Sequence, residues 1–280
     1  MSSLVHARGA VDRTSIPPET EVRSAATISA PPDAAIALHE VSKVYGHSGD
    51  AVHALDRVSL VVATGEFVCL LGASGCGKST LLNLVAGLDR PTSGDVTVEG
   101  RATLMFQEAA LFPWLTARGN VDLALKLRGV PKAQRRTRVD ELLETVHLRE
   151  FDGKRPHELS GGMRQRVALA RALAQDVDVL LMDEPFGALD AMTRDLLHDE
   201  LEELWNTTKT TVVFVTHNVR EAVRLGDRVV LLSSRPGRVT AEFPVTITRP
   251  RRIEAHEVAD QAALITDQLR EEVRRHSEAT

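Results

Sequence analysis

A glycine-rich segment followed by lysine and serine is the strongest chemical signal in the sequence. It reads GASGCGKS at residues 72–79, between an apolar segment and a helical one. Glycines let several backbone N–H groups point at one anion, and the following helix adds its positive end. Lys78 can then bridge the β- and γ-phosphates of a nucleotide, and the Ser79 hydroxyl can ligate Mg²⁺. An ordinary glycine turn is the alternative. The residues assigned to ATP binding in this loop are Gly72, Ala73, Ser74, Gly75, Cys76, Gly77, Lys78, Ser79 and Thr80.

Two adjacent carboxylates follow a second apolar segment. VLLM at residues 179–182 precedes Asp183 and Glu184. Ligands bind an open α/β sheet at the carboxyl ends of its strands. Asp183 is therefore placed to hold Mg²⁺, and Glu184 to orient or deprotonate a water that attacks the γ-phosphate. The pair could also be the solvated start of a loop, but the phosphate loop upstream favours the hydrolytic interpretation.

A second anion-binding pattern is present in LSGGMRQ at residues 159–165. Ser160 can cap the helix that it precedes, while Gly161 and Gly162 leave backbone N–H groups accessible. A plain helix N-cap is the simpler alternative. Two phosphate cradles in one domain are explained if they serve two nucleotides at a dimer interface.

With these motifs in this order, the sequence resembles the ATPases of ABC transporters over about residues 35–240, because the segment 159–165 matches the signature loop of that family. The resemblance implies an α/β fold: a P-loop NTPase (RecA-like) core, an antiparallel β subdomain and an inserted α-helical subdomain at about 108–165. It also implies Mg²⁺ as the cofactor, with ATP as the substrate.

The resemblance further implies roles for single residues. Tyr45 would stack on adenine, His217 would contact the γ-phosphate, and Gln107 would link the magnesium site to the helical subdomain. Taken alone, Tyr45 could be packing, His217 an ordinary hydrogen-bonded histidine and Gln107 a helix cap. In full, catalysis is assigned to Glu184, His217 and Gln107, Mg²⁺ ligation to Ser79, Gln107 and Asp183, contact with the partner's ATP to Ser160, Gly161, Gly162 and Gln165, and contact with the partner subunit to Asp190.

The elements that must position these residues can be read from apolar patterning. Continuous apolar segments without alternation predict buried parallel strands, and helical segments between them predict a sheet that is covered on both faces. The predicted strands of this kind are 66–71, 177–182, 211–215 and 227–232. Strand patterns also occur at 36–45 and 58–62, and helical spacing between 139 and 146 predicts the inserted subdomain.

Three regions follow from composition along the chain. Residues 1–33 are rich in Ala, Ser and Pro and predict a disordered tail, and residues 34–245 form the ATPase domain. Residues 246–280 form a C-terminal extension with an amphipathic helix, because Val258, Ala262, Ile265, Leu269 and Val273 recur at helical spacing. Arginines in this extension, including Arg251 and Arg252, are predicted to lie on its solvated side.

Composition excludes several other classes. The 280 residues carry a net charge of −5, which argues against a nucleic-acid partner. The two cysteines fit no zinc pattern or disulfide framework, so reduced thiols are expected. The sequence has no apolar run of about 18 residues, and its start lacks the apolar region of a signal peptide. A role at a membrane would then need a membrane-embedded partner.

The resemblance implies a peripheral subunit on the cytoplasmic face of the cell membrane. Its partners would be a second ATPase subunit in a head-to-tail homodimer, two transmembrane permease subunits and a periplasmic or lipid-anchored solute-binding protein. Residues 182–194 and 215–239 are similar to bacterial importers for sulfonates, nitrate or taurine, and the short segment 100–106 favours aliphatic sulfonates.

Alternatives remain at this stage. Nitrate or taurine import is an alternative, and export is a further one, although the motifs favour import. A single domain with a short helical subdomain argues against a non-transport ABC protein, and a P-loop kinase would lack the segment 160–162. Phe112 and Trp114 could face the permease or could anchor the helical subdomain's own core.

Overall fold

A computed structural model describes residues 33–46 and 50–279, so the predicted tail at 1–33 lies almost wholly outside the described residues. The strands are β1 (Ala34–Tyr45), β2 (Val52–Ala63), β3 (Phe67–Leu71), β4 (Ser93–Val98), β5 (Ala102–Met105), β6 (Val179–Asp183), β7 (Thr211–Val215), β8 (Arg228–Leu232) and β9 (Val239–Pro244). The α-helices are α1 (Lys78–Val85), α2 (Ala117–Leu127), α3 (Lys132–Thr145), α4 (Gly161–Leu173), α5 (Ala191–Thr208), α6 (Val219–Leu225) and α7 (His256–Ala279).

The main sheet has six strands in the order β5-β6-β7-β3-β8-β9. Its pairings are parallel except for β8 with β9. Alternate residues of one strand enter different hydrophobic clusters: Phe67 and Cys69 face one cluster, whereas Val68 and Leu70 face the other. Both faces are therefore covered, which is why these strands are apolar without alternation. The predicted mostly parallel sheet is confirmed.

A smaller antiparallel sheet has the order β2-β1-β4. It packs on α1, because Ile36 and Leu38 of β1 share a cluster with Leu81 and Leu84 of that helix. The predicted antiparallel β subdomain is thus present, and it covers the helix that follows the phosphate loop. This packing places the sheet next to the residues that were assigned to ATP.

The helical subdomain consists of α2, α3 and two short 3-10 turns, at Arg149–Phe151 and Pro156–Glu158. Val121 and Leu143 are fully buried in its core. Arg118 ties its parts together, since its guanidinium pairs with Asp140 and its Nε lies 2.8 Å from Asp152 Oδ2. The inserted helical region was expected, although helix α4 continues from it into the main core.

The C-terminal helix α7 packs against the core through Val258, Ala262 and Ile265, as its spacing predicts. The prediction for Arg251 was wrong: this side chain is buried, with 5% of its surface exposed, rather than solvated. Its guanidinium fills a loop that turns back over the end of α6, where backbone carbonyls surround it. Arg252 is exposed, as expected.

Within residues 33–46 and 50–279, the helices are all too short or too polar to cross a bilayer. The two cysteines are free and buried, as expected.

Candidate active site

The phosphate loop joins β3 to α1 and is shaped by glycines and one lysine. Gly75 and Gly77 have φ of 77° and 98°, a region that favours glycine. Lys78 Nζ donates hydrogen bonds to the carbonyl oxygens of Gly72, at 2.8 Å, and Ala73, at 3.0 Å. Lys78 thus stabilises the curved backbone conformation of its own loop. Along this loop Ser74, Gly75 and Ser79 are exposed, Ala73, Gly77 and Thr80 are half-buried, and Gly72, Cys76 and Lys78 are buried.

Glycine is required at position 77 because neighbouring atoms lie close to it, and because its φ is positive. A Cβ at this position would lie 2.7 Å from the Ala54 carbonyl oxygen and 2.6 Å from Leu55 Cδ2. The same Ala54 carbonyl accepts a hydrogen bond from Gly237 N at 2.9 Å. Strand β2 and the β8–β9 turn therefore both press against the phosphate loop, and a side chain would displace them.

Tyr45 lies at the end of β1 and is held by two neighbours that the sequence analysis missed. Its hydroxyl donates to Asp89 Oδ2 at 3.0 Å, and Lys43 Nζ lies 4.9 Å from its ring centroid. Lys43 also bonds Asp89 Oδ1 at 2.6 Å, and this contact, more than any other, lowers the pKa of Asp89. The ring is 40% exposed yet oriented, as a stacking surface should be. Lys43 could have been noticed, because it lies two positions before Tyr45 on the same strand face.

The structure brings Glu184 and His217 together at the carboxyl edge of the main sheet. Asp183 pairs with Val215 in neighbouring strands, so the residues that follow both strands are adjacent. Glu184 N donates to Val215 O at 3.0 Å, and His217 Nδ1 lies 3.1 Å from Glu184 Oε2. Glu184 has a φ of 45°, an uncommon conformation for a residue with a side chain. Such strain is typical of functional positions.

Gln107 and Gln165 are also adjacent, in an arrangement that was not expected. Gln165 is buried, with 6% of its surface exposed, and its Nε2 donates to the Gln107 carbonyl oxygen at 2.6 Å. This placement disagrees with the expected contact of Gln165 with a partner's ATP, because the side chain points into its own subunit. The physical reason is that this face of α4 packs inside the protein. The Gln107 side chain reaches the loop after Glu184: a Cβ on Gly187 would lie 3.5 Å from Gln107 Nε2.

The second glycine segment forms the start of α4. The exposed Ser160 caps this helix, since its Oγ accepts from Met163 N at 3.2 Å. Gly162 is buried, and a Cβ there would lie 2.5 Å from Thr193 Cγ2 of α5. Gly161 is half-buried beside it. Ser160 is therefore confirmed as a helix N-cap, and Gly162 allows α4 and α5 to pack closely.

Asp190 caps α5 in the same region. Its Oδ1 accepts from Thr193 N at 3.0 Å, and this hydrogen bond is the main cause of the lowered pKa of Asp190. Asp190 therefore has a structural function at the helix start. It is also exposed, so it is accessible to a partner. Only contact with a partner was predicted for Asp190 from the sequence.

The residues assigned to Mg²⁺ carry suitable ligand atoms. Ser79 offers an exposed hydroxyl, Asp183 a half-buried carboxylate and Gln107 an amide oxygen. Mg²⁺ prefers oxygen ligands, of which one or two are carboxylates, together with phosphate oxygens of a nucleotide. This set fits the ion, which would neutralise charge on the β- and γ-phosphates when bound.

Comparisons with known proteins agree with this geometry. Residues 55–187 match the family model described as ABC transporter. A taurine import ATP-binding protein of Rhizobium johnstonii is 47% identical over 234 residues, covering 81% of this chain and 89% of that protein. A nitrate import ATP-binding protein of Synechocystis sp. is 44% identical over 218 residues, covering 75% of this chain and 82% of that protein.

A solved structure is similar as well. It is a dimeric ATP-binding cassette in a post-hydrolysis state with ADP and Pi, at a TM-score of 0.68 and 34% identity, covering 76% of this chain and 100% of that one. The fold, the site and the relatives agree: this chain belongs to the family of ABC transporter ATP-binding proteins, which hydrolyse ATP with Mg²⁺ and couple the reaction to transport.

Proposed function

We propose that this chain is the ATPase subunit of a bacterial importer for a small anionic solute, with aliphatic sulfonates as the preferred candidate. The hydrogen-bond contact of 3.1 Å between Glu184 and His217 at the carboxyl edge of the sheet carries the hydrolytic part of this proposal. Taurine and nitrate, which appear in the names of two relatives, are the alternative solutes. Nitrate is a small anion, and taurine is a small zwitterion with a sulfonate group, so a small solute with an oxyanion group is supported better than any single member.

Each residue at the site has one task in the proposed reaction. Lys78 holds the β- and γ-phosphates, and Tyr45 stacks on adenine. Glu184 orients the attacking water and takes its proton, which a carboxylate can do when the water lies within hydrogen-bond reach. His217 bonds Glu184 Oε2 and thereby fixes the direction in which this carboxylate points. Ser79, Asp183 and Gln107 would hold Mg²⁺.

The site is proposed to be completed by a second copy in head-to-tail orientation. Ser160 is exposed at the start of α4 and Asp190 at the start of α5, and close packing through Gly162 keeps these two helix starts together. They would approach the γ-phosphate bound to the partner's Lys78 loop as one surface. The dimeric arrangement of a similar solved cassette supports this pairing. ATP would then favour the closed dimer because it binds both halves only there.

A groove beside β5 is the proposed docking place for the permease. It has a volume of about 580 Å³ and lies between this edge strand and helices α2 and α4. Phe112, Leu127 and Arg128 line it, and Trp114 packs on Phe112 with ring centroids 5.4 Å apart. Trp114 is 67% exposed and Leu127 79% exposed, so they serve an interface better than a core. The complex would lie on the cytoplasmic face of the membrane and receive solute from a binding protein.

The hydrolytic role is tested with Glu184→Gln. The amide keeps the shape of the side chain but accepts no proton, so we expect ATP to bind with unchanged affinity and turnover to be lost. The closed dimer should then accumulate with ATP, as measured by light scattering after gel filtration. Normal turnover in this variant would refute the assignment of Glu184.

The docking groove is tested with Leu127→Glu. A charge at this exposed apolar position should prevent co-purification with the permease encoded with this chain, while basal ATP turnover is kept. Leu264→Glu is the matched control, because Leu264 is 54% exposed on α7, far along the chain from the groove residues. Equal recovery of the permease with both variants would contradict the proposed docking place.

A further inference from the structure

A buried polar chain, formed by His198 of α5, Glu221 of α6 and Thr216 after β7, lies beneath the proposed active site. Their exposed fractions are 0%, 5% and 3%. Buried polar groups are unfavourable unless hydrogen bonds satisfy them, and buried carboxylates are rare without a partner. The hydrolytic steps described above use none of these residues, so the hydrogen bonds among them need another explanation.

The hydrogen bonds of this buried chain define its protonation. His198 Nδ1 lies 3.2 Å from Nη1 of Arg224, and a guanidinium can only donate. His198 Nδ1 must therefore accept, which leaves the proton of a neutral imidazole on Nε2. His198 Nε2 lies 2.5 Å from Glu221 Oε1 and donates to it. The Asp195 carboxylate lies farther from Nδ1, with Oδ1 at 3.8 Å, so the donating guanidinium is the nearer partner and the neutral tautomer fits these contacts best.

The other end of the buried chain holds the backbone around His217. Thr216 Oγ1 donates to the second oxygen of Glu221 and accepts from Asn218 N at 3.0 Å. The residues on both sides of His217 are thus fixed through one hydroxyl group. Thr216, His217, Glu184 and Glu221 also line one small cavity, so the buried chain reaches the wall of the site itself.

The His217 ring needs such support. Its side chain is 67% exposed, and in the described part of the chain one hydrogen bond, to Glu184, orients it. With this single hydrogen bond alone, the ring and the carboxylate could shift together, whereas a fixed His217 backbone limits how far the ring can move. Catalytic geometry is sensitive to this, because a displacement of about 1 Å costs about 100-fold in rate.

We propose that His198, Glu221 and Thr216 are positioning residues for hydrolysis: they hold the backbone of His217 so that its ring stays against Glu184. This inference rests on the proposed function, in which Glu184 acts on the attacking water and His217 orients Glu184. The buried chain acts through His217 and touches no substrate. It also connects α5, which Asp190 caps near the proposed dimer contact, to the segment that carries His217.

The Thr216 pair provides the first test, in steady-state ATP turnover of the full chain. Thr216→Val keeps the shape but removes the hydroxyl, and we expect kcat to fall about 10- to 100-fold with the KM for ATP within about threefold. Thr216→Ser keeps the hydroxyl and should restore kcat to within about threefold of the unchanged chain. A purely structural role would lower the melting temperature of Thr216→Val without this loss of kcat per folded molecule.

The His198 pair tests the other end and the protonation. His198→Leu removes the donor to Glu221 and should lower kcat as Thr216→Val does, whereas His198→Gln retains an uncharged N–H donor and should keep most of the activity. Equal losses in these two variants would overturn the assigned role of the neutral donor. If His198→Leu does not fold, the Thr216 pair decides alone.

The outcomes separate this inference from the proposed function. Loss of turnover in Glu184→Gln and His217→Ala, together with unchanged kcat in Thr216→Val, would overturn the positioning role alone. Normal turnover in Glu184→Gln would overturn the proposed function first. The expected result is that Glu184→Gln, His217→Ala and Thr216→Val all lose turnover, whereas Thr216→Ser retains it.

Discussion

Replacing Arg251 with methionine should destabilise the protein strongly. The guanidinium of Arg251 donates to backbone carbonyl oxygens at 2.5 Å (Gly226), 2.7 Å (Ile247) and 2.9 Å (Val223), with two longer contacts nearby. Burial, and then the adjacent Arg249, lowers the pKa of Arg251 to about 10, so the side chain is still charged at neutral pH. Methionine fills similar volume but donates nothing.

The expected loss of stability comes from the backbone carbonyl groups that no longer have a hydrogen-bond donor. Each buried acceptor without a partner costs about 1–3 kcal/mol. Three short hydrogen bonds are lost, while removing a buried charge offsets part of the loss, which gives about 3–5 kcal/mol in the free energy of unfolding. An apolar residue cannot compensate here, because the partners are backbone groups that no substitution removes.

The assay is equilibrium urea unfolding of the full chain, followed by far-UV circular dichroism and by tryptophan fluorescence. Trp205 is buried and its ring lies 4.4 Å from the guanidinium carbon of Arg249, so its emission reports on this corner of the protein. Arg252→Met is the matched control: the neighbouring side chain is exposed, and we expect a change below about 0.5 kcal/mol. A change below about 1 kcal/mol for Arg251→Met, with an unaltered m-value, would refute the reasoning.

Two further predictions concern the phosphate loop and the thiols. Gly77→Ala should cost at least about 3 kcal/mol and abolish ATP binding, because a positive φ and a contact with Ala54 O at 2.7 Å act together. Gly87→Ala shares the positive φ but meets open space, so it should cost only about 1 kcal/mol, as measured by thermal unfolding. Burial raises the pKa of both Cys69 and Cys76, in Cys76 despite the opposing effect of a nearby lysine. Since a raised pKa means less thiolate, both thiols should resist alkylation at neutral pH until the chain unfolds; fast modification of the native chain, followed by mass spectrometry, would contradict this.

The sequence predicted those elements whose pattern is local. Four strands of the main sheet (β3, β6, β7 and β8) and the phosphate loop are short segments with a distinct composition, and the structure has them within a few residues of the predicted bounds. Strands β4, β5 and β9 were not predicted, because they are short, partly exposed and lack a continuous apolar pattern. The meeting of Glu184 with His217 was predictable, since both follow parallel strands of one sheet.

Residues whose surroundings come from distant parts of the chain could not be predicted. Arg251 lies among charged neighbours in sequence, and only the folding of its loop over α6 buries it. Gln165 follows a glycine motif that suggested an outward contact, yet α4 turns this side chain onto Gln107. His198 is one polar residue within a helix of mixed composition, and its importance depends on Glu221, which is 23 positions away. In each case the decisive partner is non-local.

The positions of Gln165 and Gly162 indicate how events at the proposed dimer interface would reach the rest of the subunit. Gly162 packs α4 closely against α5, so a displacement of Ser160 would be expected to displace Asp190 as well. Gln165, one turn along α4, bonds the Gln107 carbonyl at 2.6 Å, and Gln107 stands where the core sheet passes into the helical subdomain. Because a short hydrogen bond and close helix packing resist deformation, a partner phosphate that pulls on Ser160 would also displace the backbone of Gln107. We therefore expect ligand binding at the proposed interface and the orientation of the helical subdomain to be coupled through one helix.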